Sequence, residues 1–153
     1  MEIRDLDPAT DEPAATALLE LQRAAYAVEA VLIGDDRIPG LHEDLAQLRG
    51  AELSWLGAYV DGRLTGALAW TADPMEVDID RLVIAPAAHR LGIGRTLVQD
   101  VLRRAEGRVT VVSTGRENAP ARALYESAGF LSTGDVEVLP GLWVTGYTHR
   151  AEQ

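Results

Sequence analysis

Two glycines, Gly92 and Gly94, lie where an apolar run that ends at Ile84 is followed by a helical pattern over residues 93–106. The start of a helix exposes backbone N–H groups that have no partner, together with the positive end of the helix dipole. Glycine lets a ligand approach that backbone closely because it has no side chain. The spacing therefore predicts a seat for a phosphate or pyrophosphate, although an ordinary strand-to-helix turn would use glycine in the same way.

Other ligand motifs fit this sequence poorly. The glycine loop lacks both the third glycine of the dinucleotide fingerprint and the Gly-Lys-Ser/Thr of the P-loop. The chain has no cysteine, and His42, His89 and His149 are too far apart along the sequence for a metal-ligand motif. We therefore expect no metal site, no thiol nucleophile and no disulfide.

The elements that position the glycine loop are predicted from hydrophobic periodicity and turn residues. Helices are expected over residues 13–29, 41–48, 93–106 and 120–128. Strands are expected over residues 3–6, 55–60, 64–71, 76–84, 109–113, 131–138 and 142–148. This order predicts a mixed α/β sheet with helices on its faces.

The strand predicted over residues 76–84 alternates strictly. Its pattern places five residues on one face: Glu76, Asp78, Asp80, Leu82 and Ile84. Three carboxylates on one face raise one another's pKa if they lie close together. They are candidates for proton transfer, or else the solvated edge of a two-faced strand.

Size and charge limit the possible functions. The chain of 153 residues is 47% apolar, as in an ordinary soluble globule, and we expect one domain over residues 1–153. Its formal net charge of −10 argues against a nucleic-acid partner, and it suits either solubility or the attraction of a cationic substrate. The first residues show no secretion signal, and no apolar run approaches the ~20 residues that cross a bilayer. We therefore expect a cytoplasmic protein without a membrane partner.

A second segment, residues 117–130, completes a pair of motifs with the glycine loop. Together the two segments resemble the GNAT superfamily of N-acetyltransferases, whose motifs are a Val/Ile-x-Pro strand end, an Arg/Gln-x-x-Gly-x-Gly/Ala loop and a later Asn-x-x-Ala-x-x-Leu-Tyr-x-x-x-Gly-Phe. The matching residues here are Ile84-Ala85-Pro86, His89-Arg90-Leu91-Gly92-Ile93-Gly94, and Asn118, Ala121, Leu124, Tyr125, Gly129 and Phe130. His89 departs from the family's Arg or Gln, so the side chain that pairs with a pyrophosphate stays open.

The resemblance implies a fold and a cosubstrate. The fold is a central mixed, mostly antiparallel sheet of about seven strands, with helices on both faces and one splayed strand pair. The cosubstrate is acetyl-CoA, with its pyrophosphate on the amides of about Leu91 to Thr96 and its pantetheine arm along the strand at Leu82 to Ile84. The residues expected to contact it are Leu82, Val83, Ile84, His89, Arg90, Leu91, Gly92, Ile93, Gly94, Arg95, Thr96, Asn118 and Tyr125.

The resemblance also implies direct transfer of the acetyl group to a primary amine in a ternary complex. Tyr125 holds the position of the family tyrosine that points at the CoA sulfur, so we expect it to protonate the leaving thiolate; the alternative is that it only packs its helix onto the sheet. A strand N–H near Val83 or Ile84 would stabilise the negative charge on the thioester oxygen. Asp78 is the candidate base, since some relatives carry a glutamate near that place. Water is the alternative, because many relatives have no side-chain base.

The acceptor is expected between the first two helices and their loop, where the polar candidates for contact with it are Tyr26, Glu29, Asp35 and Asp36. The alternative is that Asp35 and Asp36 are turn residues and that Tyr26 belongs to the core. It stays open whether the amine belongs to a small molecule, an amino acid or a protein. The alternative function is a non-catalytic module that binds acyl-CoA as a sensor. The C-terminal strands are a candidate surface for a homodimer.

Overall fold

The computed structural model describes residues 1–89 and 91–151. Its elements follow the order that periodicity predicts. The helices are α1 (Glu12–Ile33), α2 (Leu45–Gly50), α3 (Ile93–Arg104) and α4 (Ala119–Ser127). The strands are β1 (Glu2–Leu6), β2 (Ser54–Val60), β3 (Arg63–Ala72), β4 (Glu76–Ile84), β5 (Val109–Gly115), β6 (Leu131–Leu139) and β7 (Leu142–His149).

The described strands form one seven-stranded sheet in the order β1-β2-β3-β4-β5-β7-β6. Neighbouring strands are antiparallel except β4 and β5, which are parallel. That parallel ladder runs only from Glu76↔Val109 to Ile79↔Val112. Beyond it β4 stays paired with β3 and β5 with β7, so a gap opens between residues 80–84 and 113–115. The predicted mixed, mostly antiparallel sheet with one splayed pair is confirmed.

Each face of the sheet is covered by its own pair of helices. On one face, Val98 of α3 and Tyr125 of α4 pack with Leu68 of the sheet in one buried apolar cluster. On the other face, Leu18 of α1 and Leu48 of α2 belong to a second cluster. Removal of these side chains from water is the main force that holds the helices on the sheet. The gap between β4 and β5 therefore opens between two well-packed layers.

α1 is longer than the sequence pattern predicts. Periodicity indicates a helix over residues 13–29, whereas α1 continues to Ile33. The helix ends at Gly34, which adopts a left-handed φ of 68°. Residues 30–33 are uniformly apolar, so their pattern does not mark the end of the helix, and the capping glycine does. The additional turn extends α1 toward the gap between β4 and β5.

α2 begins at Leu45, four residues after the predicted start at Leu41. A capping box sets this boundary. The Asp44 side chain accepts a hydrogen bond from the Gln47 amide (2.7 Å), and the Gln47 side chain accepts one from the Asp44 amide (2.9 Å). The residues Pro39–Leu41 form a short 3₁₀ turn instead.

β4 changes face at its middle. A β-bulge against β3 inserts Asp80 into the strand, and an inserted residue reverses the alternation of side chains. Val77 and Ile79 before the bulge lie in the core beneath α3 and α4, and Leu82 and Ile84 after it pack against that same core. The prediction that the carboxylates before the bulge share a face with Leu82 and Ile84 is therefore wrong.

β6 is an edge strand of the sheet, and all nine of its residues are exposed. Val136 and Val138 are 59% and 50% exposed. The backbone groups on the outer edge of such a strand are free to pair with another chain. A homodimer through the C-terminal strands stays a prediction.

Candidate functional site

The glycine loop forms the start of α3. Gly92 precedes the helix with a left-handed φ of 76°, which glycine adopts without strain. The Thr96 amide donates to the Gly92 carbonyl oxygen (3.0 Å). The amides of Ile93, Gly94 and Arg95 therefore have no partner within the helix, and they form a seat for negative charge. The Thr96 amide, which is also predicted to hold the pyrophosphate, is the one that closes the first turn, and the set of amides that binds the pyrophosphate stays a prediction.

A cavity of about 340 Å³, the cosubstrate cavity, opens over this helix start. Most of the residues predicted to hold the cosubstrate line it: Leu82, Val83, Ile84, His89, Gly92, Ile93, Gly94, Arg95 and Asn118. Leu91 does not line it and is 59% exposed, and Arg90 lies outside the described residues. The fold thus brings the end of β4, the glycine loop and the start of α4 together.

The main chain of β4 is open on the side of the gap. Ala85 donates its N–H to the Thr65 carbonyl oxygen of β3 (2.8 Å), and opposite residues of an antiparallel pair alternate between bonded and non-bonded. The N–H and C=O groups of Leu82 and Ile84 therefore point into the gap, whereas those of Val83 point toward β3. Of the two residues predicted to stabilise the thioester oxygen, Ile84 has an N–H that faces the gap and Val83 does not.

A second cavity, of about 550 Å³, lies beside the first, and we call it the acceptor cavity. α1 and the loop after it form one wall, and β5 with the β6–β7 hairpin forms the other. The second wall is mainly apolar and includes Val112, Val138, Leu139, Leu142 and Val144. The lining residues common to both cavities are Tyr26, Glu29, Leu82, Asn118 and Ala121. The two cavities therefore meet where β4 and β5 diverge.

Glu29 lies at this junction. Its Oε1 accepts a hydrogen bond from Nδ2 of Asn118 (3.1 Å), which joins α1 to the start of α4. Oδ1 of Asn118 accepts from the Ala121 amide (3.2 Å), so the same side chain caps α4. Burial raises the pKa of Glu29, and the hydrogen bond from Asn118 opposes that shift. A carboxylate in such a partly apolar place attracts a cationic group.

Tyr125 of α4 lines the acceptor cavity and is 3% exposed. Its ring packs edge-on against Phe130, with the centroids 5.4 Å apart, and its centroid lies 6.0 Å from that of Tyr147. The Tyr147 hydroxyl donates to Glu126 (2.7 Å) and so holds α4 to β7. Burial raises the pKa of the Tyr125 phenol, and the charge of Glu29 adds to the shift. The hydroxyl therefore keeps its proton at neutral pH and can donate it.

Asp78 lines neither of these two cavities. It lies before the bulge, in the section of β4 that pairs with β5. Burial raises the pKa of Asp78, with further contributions from the charges of Glu76 and Asp80. The structure brings Tyr125 and Glu29 to one cavity without Asp78, and the assignment of the base to Asp78 stays a prediction.

Sequence reasoning missed the arginines that frame the acceptor cavity. Arg37 lines it and pairs with Asp35 (2.6 Å), and the hydrogen bonds from Arg37 lower the pKa of Asp35 to about 2. Arg81 lines it with only 12% of its side chain exposed. The sequence does mark Arg81 as unusual, because it is an arginine at a position where the alternation of the strand expects an apolar residue. Gln22 is unusual in the same way, since it lies on the apolar face of α1.

Within residues 1–89 and 91–151, no group of three or more His, Cys, Asp or Glu side chains is arranged to hold a metal ion. Within the same ranges, no helix combines the length and the apolar character that a bilayer span requires.

The chain is similar to several known proteins and to one family of proteins. The model of the Acetyltransferase (GNAT) family matches residues 15–130. The UPF0157 protein YqkA of Bacillus subtilis is 34% identical over 129 residues, which are 84% of this chain and only 38% of that protein. N-alpha-acetyltransferase RimI of Mycobacterium tuberculosis is 30% identical over 121 residues, which are 75% of each chain. The structure of yncA from Salmonella typhimurium with its cofactor acetyl-CoA is 20% identical and superimposes with a TM-score of 0.71, over 100% of this chain and 96% of that one.

Proposed function

Since the chain belongs to the Acetyltransferase (GNAT) family, we propose that it transfers an acetyl group from acetyl-CoA to a primary amine in a ternary complex. The observation that carries this proposal is the junction of the two cavities. The helix start opens into the cosubstrate cavity, Tyr125 lines the acceptor cavity, and Glu29 and Leu82 line both. A thioester that enters along β4 would meet an amine at this junction.

The residues of the cosubstrate cavity suit acetyl-CoA. The free amides of Ile93, Gly94 and Arg95 would hold the pyrophosphate, since a helix start binds anions through its N–H groups and its dipole. The gap-facing main chain of Leu82 and Ile84 would pair with the amides of the pantetheine arm, as it would with an added strand.

The reaction requires a neutral amine. A lysine-type amine has a pKa near 10.4, so roughly one molecule in 2,500 is unprotonated at pH 7. A proton must therefore leave the ammonium group before attack, and a positioned carboxylate or a water chain that ends on one can take it. Glu29 is better placed for this task than Asp78, because Glu29 lines both cavities.

Attack forms the C–N bond and moves negative charge onto the thioester oxygen, for which the Ile84 N–H is the available donor. Collapse then breaks the C–S bond and leaves the thiolate of CoA. Tyr125 donates a proton to that sulfur and recovers one, through solvent, from the acetylated nitrogen. In sum, an ammonium ion and acetyl-CoA become an acetamide, the CoA thiol and one released proton.

The acceptor cavity suits a cationic amine that carries an aliphatic group. Glu29 and Asp80 contribute carboxylates to its lining. Arg37 is paired with Asp35, and Arg81 with Glu43 and Asp80, so both guanidinium charges are already balanced. The apolar wall from β5 to β7 would contact the rest of the acceptor. The name of the RimI relative adds a protein α-amine to the acceptors worth testing.

The test is the release of CoA from acetyl-CoA in the presence of amines. The chain has no cysteine, so a thiol reagent reports CoA without a background from the protein. The panel contains alkylamines, polyamines, amino acids, amino-acid amides and peptides with a free N-terminus. We expect amine-dependent release of CoA with matching N-acetylation by mass spectrometry. If calorimetry shows that acetyl-CoA binds but no amine in the panel promotes release, the chain is a sensor and the proposal fails.

A further inference from the structure

One wall of the acceptor cavity is a loop with little regular structure of its own. The lining residues Arg37, Ile38, Pro39 and Gly40 follow the end of α1, and only the turn at Pro39–Leu41 is helical. Their place must therefore be set by contacts with other elements.

A buried glutamine of α1 holds this loop from below. Gln22 is fully buried, and its Nε2 donates to the Gly40 carbonyl oxygen (2.8 Å) and to Oε1 of Glu43 (3.1 Å). One turn further along α1, the Tyr26 ring packs so close to Gly40 that an added Cβ there would collide with it. The loop thus lies directly against α1 with no space between them.

Glu43 ties the same glutamine to the sheet. Its Oε1 also accepts a hydrogen bond from Nη1 of Arg81 (2.9 Å), and Nη1 donates in turn to Oε1 of Gln22 (2.9 Å). Nε of Arg81 donates to Asp80 (2.7 Å), and its guanidinium lies 5.5 Å from the Trp55 ring. Only 15% of the Glu43 side chain and 12% of the Arg81 side chain are exposed. Charge-assisted bonds with such low exposure hold their partners more firmly than exposed ones do.

Gln22, Glu43 and Arg81 form a hydrogen-bonded triad, which the bulge in β4 makes possible. Without the extra residue, Arg81 would share the face of Val77 and Ile79 beneath α3 and α4. With it, Arg81 reaches Gln22 and Glu43 on the side of α1, while Asp80 and Arg81 still line the acceptor cavity. Glu43 itself lines neither cavity, so any effect it has on the reaction passes through its neighbours.

We propose that Glu43 is a positioning residue for the acceptor: by bonding Arg81 and Gln22 together it fixes the loop of residues 37–40 as one wall of the acceptor cavity. This inference rests on the proposed acetyl transfer. It assigns to Glu43 an influence on the acceptor alone, since its bonds to Arg81 and Gln22 join side chains and include none of the main-chain groups of α3, Leu82 or Ile84 that would hold acetyl-CoA.

The test compares Glu43→Ala with Glu43→Gln. Alanine removes the acceptor atom of both hydrogen bonds, whereas glutamine keeps an amide oxygen in the same place. We expect Glu43→Ala to raise the KM of the amine about tenfold or more, because a small displacement of a positioning wall has a large effect on bound geometry. The KM of acetyl-CoA should stay within about twofold. Glu43→Gln should recover most of the loss.

Asp44→Ala is the matched control for a general loss of stability. It removes the capping box of α2 next to Glu43 and should lower stability by the usual effect of a lost cap, yet it touches neither Gln22 nor Arg81. Its amine KM should equal that of the unmodified chain. If Glu43→Ala does not fold, Gln22→Met is measured in its place, and the same split between the two KM values is expected.

The outcomes separate this inference from the proposed function. If the unmodified chain releases no CoA with any amine, the acetyl transfer itself fails, and the inference fails with it. If the unmodified chain is active and Glu43→Ala leaves the amine KM unchanged, or raises both KM values alike, only the positioning role of Glu43 is overturned. Recovery by glutamine together with an unaffected acetyl-CoA KM supports it.

Discussion

Gly66 of β3 lies directly beneath the start of α3, and its replacement by alanine tests whether that helix start binds CoA. A Cβ at residue 66 would lie 2.5 Å from Cγ2 of Ile93 and 3.1 Å from Cδ1 of Ile84. Carbon atoms that are not bonded rest at about 3.5–4.0 Å. Ile93 is 2% exposed and cannot turn into solvent, so the first turn of α3 must move by about 1 Å.

Gly66→Ala is therefore expected to affect both stability and binding. Overpacking of this kind costs about 1–3 kcal/mol, and each kcal/mol lowers Tm by about 2–4 °C in a chain of this size. The same displacement moves the amides of Ile93, Gly94 and Arg95 relative to β4, so the Kd for CoA should rise about tenfold to a hundredfold. Thermal unfolding and titration calorimetry with CoA measure the two effects.

Gly57→Ala is the control for the collision itself. A Cβ at residue 57 would lie 2.6 Å from Leu6 and 2.9 Å from Leu64, which is similar crowding on β2, outside both cavities. This variant should lose somewhat less stability, because the ends of the partly exposed Leu6 and Leu64 side chains can move aside, and it should keep the CoA affinity of the unmodified chain. A folded Gly66→Ala variant that binds CoA as tightly as Gly57→Ala would refute the assignment of the pyrophosphate to the start of α3.

Three further substitutions test the chemistry. Tyr125→Phe keeps the buried ring but removes the proton donor, so kcat should fall about a hundredfold with the acetyl-CoA KM unchanged; an unchanged kcat in steady-state assays excludes Tyr125 as the acid. Burial raises the pKa of Glu29 in the folded chain, so the folded state prefers the protonated form and its stability falls as the pH rises through that raised value. Glu29→Gln does not titrate, so the difference between its Tm and that of the unmodified chain should be more positive at pH 8 than at pH 4. Because the variant also lacks the carboxylate that takes the ammonium proton, its kcat should fall about a hundredfold and its amine KM should rise; a Tm difference independent of pH contradicts the account of Glu29 burial. Asp78→Asn should keep kcat within about threefold, because Asp78 lines neither cavity, and a loss of about a hundredfold would reinstate it as the base.

The parts of the site that local pattern controls were predictable from the sequence. The glycine loop indicates the start of a helix, because Gly92 adopts a left-handed conformation there that few other residues tolerate. Asn118 stands before an apolar helical pattern, and it caps α4 as its residue type suggests. The positions of Tyr26, Glu29 and Tyr125 in one cavity follow from the order of elements and from the family motifs.

The parts that failed depend on partners that are distant along the chain. The bulge at Asp80 is set by pairing with β3, so the strict alternation of β4 gives no sign of it. The bonds from Arg81 reach Glu43 and Gln22 across 38 and 59 residues of sequence. No window of neighbouring residues contains such a triad, which is why the wall of the acceptor cavity was missed.

The short parallel ladder between β4 and β5 divides the molecule into two lobes. One lobe contains the antiparallel meander β2–β4 with β1, joined through α1 and α2, added at its edge; β5 to β7 form the other lobe, and four residue pairs join the two lobes along the β4–β5 seam. Contacts within the β2–β4 meander are local along the chain and form early during folding. Pairing of β4 with β5 is less local, because α3 lies between these two strands in the chain. A molecule of acetyl-CoA bound along this seam would act as a clamp, adding about 2.7 kcal/mol at a hundred times its Kd. Hydrogen exchange at residues 76–79 should therefore slow more than in the outer strands when the cosubstrate is present.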